Sequence, residues 1–239
     1  MRIRAETKKG KYMNLKILFE DNEIIVCYKP AGIPTQTSKL GEQDMVSLLK
    51  NYLYKKQAEK KEPYVAVIHR LDQPVEGLLV FAKTPFAAKE LNKGLQDEGF
   101  GKHYKAVLLG VPEKASDILE DYLVKDGRTN TSKVCSPTEK DAKKAVLLYE
   151  VLKKGKDGDK DISLVRVKLD TGRHHQIRVQ MANMGCPIWG DAKYNTAAVQ
   201  DRRFRQIALC AYKLEIVHPK TRKKMEFEIE PEGEGFFLV

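Results

Sequence analysis

The sequence predicts an α+β fold on a mostly antiparallel or mixed sheet, with helices that interrupt the strand runs instead of alternating with them. Three observations carry this. Short runs rich in aliphatic and β-branched residues recur, among them Ile24-Ile25-Val26-Cys27-Tyr28, Val65-Ala66-Val67-Ile68 and Leu78-Leu79-Val80-Phe81. Only a few stretches show the three- and four-residue apolar spacing of helices. No strand–helix–strand alternation of the doubly wound kind runs through the 239 residues.

In chain order, residues 1–13 are basic and poor in apolar residues and read as a loose tail, within which Met13 is a second possible start. From Leu15 the pattern becomes regular. The run Ile24 to Tyr28 fits a buried strand, and Lys29-Pro30-Ala31-Gly32-Ile33-Pro34 breaks it with two prolines and a glycine. Asp44 is placed to cap a helix whose apolar positions are Val46, Leu49 and Leu53, running out in the lysine-rich stretch 55–61. Val65–Ile68 and Leu78–Phe81 predict two strands around the segment His69 to Gly77. Thr84-Pro85 opens a second helix, with Thr84 as N-cap, Ala87, Ala88, Leu91 and Leu95 as inner stripe and Gly99 as stop. Strands follow at 104–109, 118–124, 145–152 and 162–169, with polar loops around Gly127-Arg128 and Lys153 to Lys160. A helix is expected from about His174 to Met184, ended by Gly185, with Ile177, Met181 and Met184 inward. Strands at 209–217 and 225–229, joined by a turn at His218-Pro219-Lys220, close the set.

Composition bounds the function. Lys plus Arg number 43 against 33 Asp plus Glu, a net charge of +10, so an anionic partner such as nucleic acid is favoured over the alternative of a merely basic soluble protein. At roughly 100–200 residues per domain, the length allows one large domain or two small ones. No stretch approaches the roughly 18 uncharged apolar residues of a membrane span. Cys27, Cys135, Cys186 and Cys210 are scattered without a CxxC, which points to a reduced cytoplasmic interior and not to a disulfide framework or a zinc site.

Four places could carry chemistry. His69-Arg70-Leu71-Asp72 sets three ionisable residues at the exit of an apolar strand, which by itself reads equally as a solvated turn or as a site held at the edge of the core. Thr171-Gly172-Arg173-His174-His175-Gln176-Ile177-Arg178 places cations where a helix dipole favours anions. That choice fits a phosphate at the helix start better than side chains splayed into water. Metal binding by His174 and His175 is disfavoured, because neighbours on a helix point apart and no carboxylate or thiol completes a set. His175 and Arg178, three apart, share a face. Tyr104, within Lys102-His103-Tyr104-Lys105, is either a ring that stacks on a base or a core tyrosine. Pro187-Ile188-Trp189-Gly190-Asp191 holds the only Trp and reads as a tight packed turn.

Together these residues resemble the RluA-type RNA pseudouridine synthases. His69-Arg70-Leu71-Asp72 with Gly77 to Lys83 is similar to that family's catalytic motif, Lys29 to Pro34 to its first motif, Tyr104-Lys105-Ala106 to its tyrosine motif, and Thr171 to Arg178 through Asp191 to its C-terminal motif. The match runs in the family's order from about residue 15 to 230. It implies a single catalytic domain over residues 14–239 and a long bent sheet around a central basic cleft; the N-terminal S4-type domain that several relatives carry is not expected, because so little chain precedes the first strand. It implies conversion of uridine to pseudouridine in ribosomal or transfer RNA with no cofactor and no metal; beside it, a cytoplasmic monomer with no DNA partner and no membrane is expected. By the same resemblance Asp72, Tyr104 and Arg178 are the candidate catalytic residues: Asp72 the essential carboxylate, Tyr104 stacking on the target base, Arg178 pairing with Asp72. His69, Arg70, Gly172, Arg173, His175, Gln176 and Lys29 are the candidate substrate contacts, with Arg70 helping to hold the place of the flipped-out nucleotide. One departure is Gln73-Pro74-Val75-Glu76-Gly77 where relatives usually carry Arg-x-Thr-Ser-Gly, which adds a negative charge near the site.

The chemistry asks for such a set. Breaking the C1′–N1 bond and forming C1′–C5 calls for a carboxylate that reaches the ribose or the ring. Water must be excluded, or free uracil results. Extruding the nucleotide costs a few kcal/mol, and stacking on an aromatic ring returns about 1–3 kcal/mol. Arg178 is expected to keep Asp72 ionised. Two rivals share parts of this pattern: an RNA-binding module without chemistry, and a glycoside or nucleoside hydrolase using Asp72 and Glu76 as paired carboxylates.

Overall fold

The computed structural model describes residues 15–39, 41–59, 61–96, 100–195 and 206–239. The predicted tail at 1–13 and the predicted helix stop at Gly99 lie outside them. The fold is α+β, as expected. What the sequence treats as one domain is made of two compact units, one holding the chain to Lys102 with Ala211–Glu230, the other His103–Cys210 with Pro231–Val239.

In the first unit the strand order is β1 (Lys16–Glu20), β2 (Ile24–Lys29), β4 (Glu76–Ala82) and β10 (Leu209–Val217, in this unit from Ala211), with β3 (Ala66–Val67) on β4 and β11 (Lys224–Glu228) on β10. β1–β2, β2–β4, β3–β4 and β10–β11 are antiparallel. Every residue of β2 and β4 is buried, as unbroken apolar runs require of central strands. Helix α1 (Met45–Lys56) starts in a capping box: the Asp44 carboxylate accepts the Ser47 N–H at 2.7 Å, and the Asp44 N–H donates to Ser47 Oγ at 3.2 Å. Met45, Leu48, Leu49 and Leu53 are its buried residues, so the stripe lies one position off the expected Val46. Helix α2 (Pro85–Gln96) packs on β3 and β4, and Thr84 Oγ1 accepts the Ala87 N–H at 3.1 Å.

The β10–β11 turn is built on His218. Its Nδ1 accepts the N–H groups of Lys220 and Thr221, so Nε2 carries the proton and donates to Asp21 Oδ2 at 2.7 Å. Asp21 Oδ1 accepts the N–H groups of Glu23 and Ile24 at 2.8 and 2.9 Å, which shapes the β1–β2 turn.

The second unit strings β5 (Phe100–Leu109, in this unit from His103), β9 (Lys160–Leu169), β8 (Lys143–Asp157), β6 (Ser116–Asp126) and β7 (Thr131–Cys135) in that order, all antiparallel. Trp189, Val107, Ile162 and Ala208 form one buried cluster, and the Trp189 indole N–H donates to Asp157 at 3.0 Å. A 3-10 helix closes the chain at Glu234–Leu238.

Three expectations are corrected here. The lysine-rich stretch 153–160 is not a loop: it continues the β8–β9 ladder to Asp157↔Lys160, because backbone pairing is indifferent to side chains that point into water. β7, read as part of a polar loop, is a strand paired with β6 from Tyr122↔Cys135 to Asp126↔Thr131. Helix α3 spans only Gln176–Asn183. His175 precedes it as N-cap at φ 55°, a left-handed conformation that no helix interior accepts. Gly185 (φ 87°) marks the stop as expected.

Candidate active site

In the first unit, two loops are stapled together around Asp72. The Lys29-Pro30-Ala31-Gly32-Ile33-Pro34 loop follows β2, and residues 68–75 lead into β4. The Gly32 N–H donates to the Gln73 carbonyl at 2.8 Å while the Gln73 side chain returns to the Gly32 carbonyl at 3.0 Å. Thr35 Oγ1 donates to the Leu71 carbonyl and accepts the Leu71 N–H. The Val75 N–H donates to the Asp72 carbonyl at 3.0 Å, closing a tight turn that starts at Asp72 itself. Asp72 is half-buried and Arg70 exposed.

Lys29 is no substrate contact. It is 0% exposed, and its ammonium donates to the carbonyls of Pro30, Ile33 and Gln73 at 2.9, 2.7 and 3.0 Å. Burial lowers its pKa to about 7, against a smaller opposing pull from the Asp72 and Glu76 charges. Nor does Glu76 act as a second exposed acid. It is 1% exposed and accepts the Tyr28 hydroxyl at 2.5 Å. The paired-carboxylate hydrolase therefore lacks a second acid presented to substrate.

His69 also turns inward. Its Nε2 accepts the Val80 N–H at 3.3 Å, so the imidazole takes up a donor of β4 just past Val67, where β3 ends, and its ring meets Phe100 edge-on at 5.1 Å. Burial, then the charge of Lys102, lower its pKa to about 3, so the ring is neutral. The expected substrate contacts His69 and Lys29 are thus the braces of the loop that carries Arg70 and Asp72.

In the second unit, Tyr104 is buried on β5 opposite Val167 of β9. Gln176 and His175 are buried as well: the Gln176 amide oxygen accepts the Thr171 hydroxyl and the Arg173 N–H, while its amide nitrogen donates to the Val146 carbonyl. Gly172 and Arg173 remain exposed, and Arg173 Nε donates to the Lys144 carbonyl at 2.8 Å. The two histidines do not sit in the first helical turn, since the helix begins after them. Their rings stack at 3.8 Å; His174 Nδ1 lies 2.9 Å from Ser132 Oγ, and His175 Nδ1 lies 2.7 Å from the Tyr194 hydroxyl.

Arg178 comes from the first turn of α3 and is 5% exposed. Its Nε and Nη2 donate to Asp191 Oδ2 and Oδ1 at 2.8 and 2.7 Å, a fork-to-fork pair. Its guanidinium carbon lies 5.1 Å from the Tyr194 ring centroid. The motif containing Asp191 was legible in the sequence, but its grip on Arg178 was not. Tyr194 and Ser132 were missed altogether; an aromatic three residues past Asp191 was the available signal.

Comparison with known proteins agrees with the residues. The family described as RNA pseudouridylate synthase matches residues 23–183. Ribosomal large subunit pseudouridine synthase D of Pseudomonas aeruginosa is 34% identical over 238 residues, 95% of this chain and 71% of the relative. The uncharacterized RNA pseudouridine synthase YhcT of Bacillus subtilis is 33% identical over 211 residues, 88% of this chain and 67% of the relative. Among solved structures, human RNA pseudouridylate synthase domain containing 1 superposes with a TM-score of 0.74 at 22% identity, covering 94% of this chain and 86% of that one, which shows a shared fold. A family match over most of the chain, with relatives a third identical nearly throughout, settles the classification: the chain belongs to the RNA pseudouridylate synthase family, isomerases that act on RNA.

Proposed function

We propose that this isomerase converts specific uridines of structured RNA, with ribosomal RNA favoured over transfer RNA, and that Asp72 is the catalytic carboxylate. The observation that carries the reading is the double staple around Asp72: Thr35 holds the residue before it, and Lys29 and Gly32 hold the residue after it, so the carboxylate rises from a braced turn at a strand exit. Such bracing by packed and bonded neighbours is what a reacting group needs. The name of the Pseudomonas aeruginosa relative supports the ribosomal choice. Tyr104 stacks on the extruded base, and Arg178 pairs with Asp72. A guanidinium has five N–H donors, so a two-bond grip by Asp191 is compatible with a second carboxylate. Arg70, exposed beside the turn, holds the vacated place in the RNA, and Gly172 and Arg173 meet phosphate. The enzyme works as a cytoplasmic monomer.

The reaction breaks N1–C1′ and forms C5–C1′; N1 gains a proton and C5 loses one to water. Asp72→Asn abolishes tritium release from RNA carrying 5-tritiated uridine, while RNA affinity stays within about threefold, since phosphate contacts dominate binding. Turnover by that variant refutes Asp72. Chemical mapping of pseudouridine across total RNA, with and without the gene, decides between ribosomal and transfer RNA.

A further inference from the structure

The pairing proposed for Arg178 requires a guanidinium fixed in direction and in plane. Asp191 supplies the direction, because an in-plane fork grips one edge. It does not by itself stop the plane from rocking about that edge. The guanidinium carbon lies over the ring of Tyr194, 5.1 Å from its centroid; Tyr194 stands three residues on in the same short turn, where the Asn195 N–H donates to the Asp191 carbonyl at 3.0 Å and the Lys193 N–H to Asp191 Oδ1 at 3.0 Å. Tyr194 is itself clamped. Its hydroxyl accepts the Ser132 N–H at 2.8 Å and lies 2.7 Å from His175 Nδ1, and its ring meets the His175 ring edge-on, at 5.6 Å and 86°. His175 stacks on His174, which bonds Ser132 Oγ, so one residue of β7 anchors both ends of the chain Tyr194–His175–His174.

We infer that Tyr194 is a positioning residue that holds the Arg178 guanidinium in plane through its ring face, the ring being fixed by Ser132 and His175. This rests on the pseudouridine-synthase reading of Arg178. A tyrosine used only for packing satisfies its hydroxyl with one partner and buries its face against apolar groups. Here the hydroxyl is engaged on two sides and the face is given to a cation, an attraction that strengthens as the pair is desolvated.

The test combines a rate with a spectrum. Single-turnover tritium release is measured on an unmodified ribosomal RNA transcript carrying 5-tritiated uridine, for wild type, Tyr194→Phe, Tyr194→Leu, Arg178→Lys and the Tyr194→Leu/Arg178→Lys double variant. Tyr194→Leu lowers the saturated rate by about 100-fold, the cost of a misplaced group, with the half-saturating RNA concentration within about twofold. Tyr194→Phe keeps the ring and stays within about tenfold. In the Arg178→Lys background the Leu change costs less than about twofold more, because Tyr194 acts only through Arg178. Equal losses in both backgrounds, or a change confined to RNA affinity, overturn the inference. Should Tyr194→Leu fail to fold, phenylalanines with increasing ring fluorination at 194 keep the shape and drain the face; a stepwise fall in rate supports the role, and an unchanged rate overturns it. The Nε–H resonance of Arg178 in ¹⁵N spectra separates the two levels of the argument. A wild-type chain inactive on every RNA overturns the functional reading. A resonance as sharp and as protected in the Leu variant as in wild type overturns the positioning role.

Discussion

The Tyr28 hydroxyl donates to the Glu76 carboxylate across 2.5 Å, joining β2 to the first residue of β4 beneath the Asp72 turn. Both residues are buried, at 7% and 1% exposure. The bond explains why an acid stands where a second catalytic carboxylate had been considered. Tyr28→Phe withdraws a donor from a buried carboxylate and is expected to cost about 1–3 kcal/mol in urea unfolding. A change below a few tenths contradicts the pairing.

Lys29 imposes a pH dependence whose sign follows from its depressed pKa. A lysine titrates near 10.4 when unfolded, and at about 7 here. Between those values the unfolded chain holds a proton that the native chain has released. Stability conferred by this residue therefore rises with pH across that window, by up to about 1.4 kcal/mol per pH unit, and below pH 7 the native state bears the full cost of a buried charge. Lys29→Met removes that slope. The stability of wild type relative to Lys29→Met, from urea unfolding at pH 7, 8.5 and 9.5, should climb; a flat difference counts against the assignment.

Gly77 is a backbone requirement. It has φ 135°, and a Cβ there would lie 2.5 Å from both the N and O of Ala211. Strain and overlap act together, so Gly77→Ala should destabilise by at least about 2 kcal/mol, read as a lowered urea midpoint.

Asp21 predicts the acid limb. Burial raises its pKa, but hydrogen bonds from the N–H groups of Ile24 and Glu23 and from His218 outweigh this and leave it lowered. The stability it supplies is present above the ordinary aspartate range and is lost as pH falls through the depressed native value. Asp21→Asn should melt below wild type at pH 7, with the two curves converging near pH 2. A constant gap at both pH values disproves the linkage.

Local features were legible in the sequence. Asp44 with Ser47, and Thr84 before Pro85, announce helix starts because capping joins residues three apart. The runs 24–28 and 78–81 announce buried strands. What failed had a common cause. The lysines at 153–156 looked like a loop because composition reports side chains, while a ladder is made of backbone. His174 and His175 looked helical because their neighbours are, yet His175 stands at φ 55° to reach Tyr194.

By itself the sequence determined the family, most of the strands, the starts of α1 and α2, and the place of Asp72 in a charged turn between two apolar strands. Tertiary structure alone decided the company each charge keeps: that Lys29 is spent on three carbonyls, that Glu76 meets Tyr28 from 48 residues away, and that Asp191 and Tyr194 hold Arg178 by edge and by face. Periodicity and capping reach only about one turn along a chain, whereas the partner of a buried charge is set by which strands the sheet lays side by side.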